Sequence, residues 1–143
     1  MKPLLPWMKF LLRFVAVFNV LAGLTMIFGY HECYKIIGMN KPDISFPLQL
    51  VGILVALFGW GYYMVARHPL ENRNVLLLGF WSKALGSCLG FYYVLSGQLP
   101  WRFVPVFFFA DIIYLPPFAM ILRRLKAVSD QQSALSQNAG AES

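Results

Sequence analysis

A chain of 143 residues with 59% hydrophobic and only 13% charged residues cannot coat a water-exposed domain of its size, where roughly a quarter of residues are charged. Lipid must cover much of the surface instead. The formal net charge of +6 does not point to nucleic acid, because the basic residues form no single patch and sit beside apolar segments, where orientation signals and anionic-lipid contacts belong.

A hydrocarbon core about 30 Å thick needs ~20 apolar residues of helix, and four stretches qualify, at about 10–30, 47–66, 75–97 and 101–122. The N-terminus, Lys2 to Arg13 followed by an apolar run, imitates a signal peptide. Its run ends in Gly29-Tyr30-His31-Glu32 with no small-residue cleavage site, so it reads as a retained first helix. The connection from His31 to Phe46 is long enough to hold a short interfacial helix around residues 33–39. The second span carries Gly52, Ala56 and Gly59 on one face, a small-residue stripe suited to close helix packing. A polar turn from Arg67 to Asn74, containing Pro69, leads to the third span, whose own stripe is Ser82, Gly86 and Gly90. Gly97 and Pro100 bound a tight hairpin into the fourth span. After Lys126 the chain turns to Ser, Gln, Ala and Asn without apolar period, and residues 127–143 read as a disordered cytoplasmic tail.

The expected fold is therefore an all-α membrane protein, a four-helix transmembrane bundle over residues 1–126. With the N-terminus inside, Lys2, Lys9, Arg13, Arg67, Arg73, Arg123, Arg124 and Lys126 lie on the cytoplasmic side, and Lys35, Lys41 and Arg102 on the other. That excess predicts an N-in/C-in topology, with a bacterial plasma (inner) membrane as the expected location. Trp7, Tyr30, Tyr34 and Trp101 suit interfacial anchoring.

Two charges fall inside spans, Lys83 and Asp111, where each costs about 2.5 kcal/mol or more on insertion scales. At the rise of a helix, Lys83 lies about 12 Å and Asp111 about 16 Å from the cytoplasmic face, on helices joined by the tightest hairpin in the chain. A lysine stem covers that difference, and either charge alone would be expensive, so the two are expected to pair. Asn19, about 13 Å deep, is placed to hydrogen-bond into the pair. Ser87, one turn beyond Lys83, and Tyr114, nearly one turn beyond Asp111, complete a candidate polar cluster. The cluster reads either as a permanent clasp between helices or as a ligand or proton site with Asp111 titrating. Pro116-Pro117 removes helical hydrogen bonds and frees carbonyls near Ile112 and Ile113, which predicts a kink.

Nothing else in the sequence carries chemistry. Cys33 and Cys88 are too few for a disulfide framework or a metal site, and no Cys-x-x-Cys occurs. His31-Glu32 reads as an interfacial polar pair, with His68 on the opposite face of the membrane. No phosphate loop, His-Glu-x-x-His or Gly-x-Ser-x-Gly motif appears, so no catalytic residue or metal ligand is assigned, and the residues specify no cofactor.

Gly23, then Gly38 and Pro42 in the connecting loop, Gly52 and Gly59 in the second span, and the Ala66-Arg67 stop together resemble the DoxX-like small four-helix membrane proteins over the first half of the chain. The resemblance implies a bundle fold and an accessory role beside a membrane oxidoreductase, and no active residue. Where such proteins carry a basic residue soon after the first-span glycine and a carboxylate in the second span, this chain has Thr25 and Met26 and no acid.

Three functions stand open at this point. The first is an accessory subunit, or a binder of a hydrophobic, lipid-like small molecule in a cleft containing Lys83, Asp111 and Asn19. The second is a small oligomeric proton-coupled transporter, which four helices would achieve as a dimer. The third is a membrane enzyme acting on a lipid or quinone. Expected partners are the bilayer and either a membrane protein or a second copy of the chain.

Overall fold

The computed structural model describes residues 1–141, and all regular structure within them is helical. Helix α1, Pro6–Phe28, starts with a proline where a backbone N–H has no helical partner. It stops at Gly29, whose N–H returns to the Thr25 carbonyl at 2.7 Å. Helix α2, Tyr30–Ile37, is the interfacial helix expected around 33–39, begun three residues earlier. Gly38 closes it in the left-handed conformation at φ 72°, and Met39 N–H bonds the Tyr34 carbonyl. Helix α3, Phe46–Arg67, again opens with a proline in its first turn. Helix α4, Arg73–Leu95, follows a turn in which the Asn72 amide donates to the Met64 and His68 carbonyls, fastening the hairpin.

The fourth span departs from the continuous 101–122 helix read from the sequence. Helix α5, Phe103–Ala110, ends at Asp111, a 3-10 turn covers Ile112–Tyr114, and α6 runs Leu115–Ala141. The cause is Pro116-Pro117. Neither ring nitrogen can bond the Ile112 or Ile113 carbonyl, so the prolines occupy the first turn of a new helix, where no N–H is needed. The expected kink is therefore a full break, placed one turn upstream of the prolines.

The tail departs as well. Residues 127–141, expected to be disordered, continue α6 as helix; residues 142 and 143 lie outside the described residues. Ala, Gln and Leu are strong helix formers, no proline intervenes, and Val128 extends the buried face one turn past Leu125.

Four helical stretches are long and apolar enough to cross a membrane: α1, α3, α4 and the α5–α6 stretch. Phe10, Phe28 and Leu95 are more than two-thirds exposed, as expected of side chains that face lipid. The chain thus has the form of an integral membrane protein. Arg124 donates to the Lys2 carbonyl at 2.9 Å, which brings the N-terminus against α6 at one end of the bundle, the terminal end.

The tightest helix pair is α1 with α3. A Cβ on Gly52 would stand 2.8 Å from the Gly23 carbonyl, and one on Gly59 would stand 2.7 Å from the Ala16 carbonyl. The Gly52-Ala56-Gly59 stripe therefore does what its spacing predicts. On α4 the packed line is different. Ser82, at the edge of a cavity, and Gly86 are exposed, and Gly90 alone of the expected stripe joins the buried line of Leu76, Gly79, Lys83, Ser87 and Gly90. Burying Lys83 sets the rotation of α4, and Gly79 and Gly90 then take the rings of Tyr62 and Phe107. The apolar core fills the terminal half: Leu12 and Val15 of α1, Tyr62 and Val65 of α3, Leu76 of α4, and Phe118, Ile121 and Leu125 of α6. Tyr62 packs edge-on to Phe118 at 5.2 Å.

Candidate functional site: a polar floor in an apolar cleft

Above that core the helices part, and the polar residues of the spans gather where they do so. Lys83 is on the inner face of α4 and 7% exposed. Its ammonium donates to Asp111 Oδ1 at 3.1 Å, the one ion pair among the described residues. It also donates to the Ala110 carbonyl at 2.7 Å. That second contact follows from the helix break. Tyr114 N–H turns to the Asp111 carbonyl at 3.2 Å, an i to i−3 bond, which leaves the Ala110 carbonyl at the end of α5 for the ammonium. A helix C-terminus carries partial negative charge, so Lys83 is held by a carboxylate and a helix end together. The ring of Tyr114 lies beneath it, 5.4 Å from Nζ to the centroid.

Of the five residues expected in the cluster, three meet: Lys83, Asp111 and Tyr114. Asn19 is 5% exposed and lines the same cavity, but its amide makes no hydrogen bond to the pair or to any other described residue. Ser87 is 4% exposed and its buried hydroxyl has no partner, so it makes no bond to Lys83. The Ala110 carbonyl was not foreseen, because a backbone acceptor has no sequence signature, although Pro116-Pro117 was a signal that some carbonyl nearby would be free.

The cavity above the pair measures about 380 Å³ and lies between α1, α3, α4 and α5. Its walls are apolar (Phe18, Val55, Phe58 and Phe107 among them), and its polar side chains are Asn19, Ser82, Lys83 and Asp111, with Tyr62 at the floor. A second cavity of about 390 Å³ shares Met26, Phe103 and Val106 with it and continues to Tyr34 and Ile37 of α2. The two adjoin at those side chains to make a cleft, with polar groups in the first cavity and an apolar second cavity that reaches the interfacial helix. A further groove of about 580 Å³ lies on another face of α1 and α3, lined by Val20 and Arg67 among others, and has no part in the cluster.

Cys33 borders the upper cavity, and burial pushes its thiol above the ordinary range. His31 stacks on Tyr30 at 4.3 Å. Among the described residues, no three His, Cys, Asp or Glu side chains converge as metal ligands would. Compared with family models, curated proteins and solved structures, the chain matches none.

Proposed function

We propose that this protein binds a hydrophobic, lipid-like small molecule in the cleft, with the molecule's polar end against Asn19 and Asp111 and its apolar body among the side chains of α1, α3 and α5. The observation that carries this reading is Asn19, a residue 5% exposed whose side chain makes no hydrogen bond and which lines a cavity of about 380 Å³. An unmet amide in an apolar setting costs on the order of 1–3 kcal/mol, which a ligand's polar group relieves. The volume lies within the range of small-molecule sites, roughly 300–1,000 Å³. The role is that of a binder or accessory subunit in a bacterial plasma membrane, working beside a membrane protein or as a homo-oligomer. Both termini face the cytoplasm in this reading, on the strength of the Lys and Arg excess at the terminal end.

Solvent extraction of protein purified in a mild detergent tests the reading by mass spectrometry. One lipophilic species, enriched over its share of the bulk membrane lipid, is the expected result. An extract with the composition of bulk lipid contradicts it.

A second reading, a proton-coupled transporter with Asp111 exchanging protons, draws on the broken helix at Asp111, since interrupted helices beside an intramembrane charge recur at transport sites. Proton-linked uptake into vesicles that disappears in Asp111→Asn, with normal protein accumulation, would favour it over simple binding.

A further inference from the structure

The valences left open around the cleft floor define the head group of the ligand. We infer that the ligand is an uncharged lipophilic alcohol, whose hydroxyl donates to Asp111 and accepts from Asn19. This rests on the binding role proposed above and specifies its chemistry.

Charge comes first. Lys83 and Asp111 neutralise each other at 3.1 Å, and the ammonium spends a further proton on the Ala110 carbonyl at 2.7 Å. A carboxylate or phosphate entering this apolar space would bring an unbalanced charge, or would have to pull Lys83 from Asp111 and strand that carboxylate. An amine would compete with Lys83 in the same way. The head group is neutral.

Hydrogen-bond valence comes next. Asp111 gives Oδ1 to Lys83, accepts no other side-chain bond, and is 27% exposed. An ionised carboxylate only accepts, so its ligand must donate. Asn19, unpartnered and 5% exposed, faces the same cavity with two N–H donors and a carbonyl. A hydroxyl is the smallest neutral group that donates once and accepts at the same oxygen. An ether or ester offers nothing to Asp111.

The tail follows from the walls. From the floor the space runs past Phe18 and Phe107 to Met26, Phe103 and Val106, then to Ile37 of α2, with no charged side chain beyond Lys83 and Asp111. A hydrocarbon chain anchored by its hydroxyl at the floor therefore lies along the cleft toward the interfacial helix.

Three probes of one chain length, each with a photoreactive diazirine in the chain, test this on the full protein in phosphatidylcholine vesicles: a fatty alcohol, its methyl ether and the matching fatty acid. The expected result is alcohol crosslinks on cleft-lining residues of α1 or α5, competed by unlabelled long-chain alcohol and about tenfold stronger than those of the ether or acid, the worth of about one to two hydrogen bonds. Asn19→Leu, of nearly equal volume, is expected to lower alcohol labelling to the level of the ether while ether labelling persists. Equal or stronger labelling by ether or acid overturns the alcohol assignment and leaves the binding role standing. Absence of competable labelling of the cleft by all three probes overturns both.

Discussion

Lys83 is held by three things at once: a carboxylate, a helix-end carbonyl and an aromatic face. Removing the carboxylate alone leaves an ammonium in hydrocarbon, and Asp111→Asn is expected to destabilise the fold by about 3 kcal/mol. Replacing both charges with apolar residues of similar volume, Lys83→Met with Asp111→Leu, removes the desolvation cost with the attraction and should restore thermal stability to near that of the unaltered protein. The same double variant should retain no ligand, which separates a site from a clasp; measured melting temperature and bound lipophile give the two readouts. Cys33 offers a pH test at this scale. Burial, ahead of its other influences, raises its pKa, so at a given alkaline pH less of it is thiolate than of a solvent-exposed thiol. Its maleimide labelling in a Cys88→Ala background should rise with pH along a curve displaced to higher pH than that of a free model thiol; a curve displaced to lower pH contradicts the burial. The pair was legible in the sequence because charge inside a span is costly and because helical rise gives depth. Asn19 lines the same cavity as the pair without bonding to it, since helical rise says nothing of azimuth.

Among the elements, α1 and α3 approach through glycine, and the fit leaves no room for a larger side chain. A Cβ at Gly52 would stand 2.8 Å from the Gly23 carbonyl and 2.8 Å from Met26 Cβ. Gly52→Val is therefore expected to cost about 2 kcal/mol by overpacking and to lower the melting temperature in detergent, whereas Gly86→Ala, with open space around it, should leave it unchanged. The stripe on α3 was visible as spacing. On α4 the stripe holds at Gly90 and is displaced by one position at Ser82 and Gly86, because small residues and a buried lysine compete to set a helix's rotation, and here Lys83 is the buried residue. That break was itself only half legible. Two prolines announce a fault in the hydrogen-bond ladder but not how the chain absorbs it: here the Ile112 carbonyl accepts from Leu115 N–H, and a lysine from another helix takes the Ala110 carbonyl just upstream. The extension of α6 to Ala141 was missed for a simpler reason: Gln, Ser and Ala make a segment polar without making it unable to form helix.

At the scale of the whole molecule, packing is divided between two halves. The terminal half is an apolar core built on Tyr62, Phe118, Ile121 and Leu125, with Lys2 fastened to Arg124 at its edge. The other half opens into a cleft whose floor carries the intramembrane charges, capped by an interfacial helix. Composition and four apolar stretches made the four-span helical form legible from the start, because so few charges admit no water-soluble alternative. The cleft was not legible, since it arises from the short α5 and the restart at Leu115. The central claim is that this space holds a molecule. Native mass spectrometry of the intact protein, set beside Ala22→Phe, tests it most directly, because Ala22 lines the cavity one turn from Asn19 and a phenyl ring there obstructs the approach to the polar floor. A single lipophilic adduct on the unaltered chain, lost from an Ala22→Phe protein of normal melting temperature, is the predicted result; an adduct retained by that variant, or none on the unaltered chain, would contradict it.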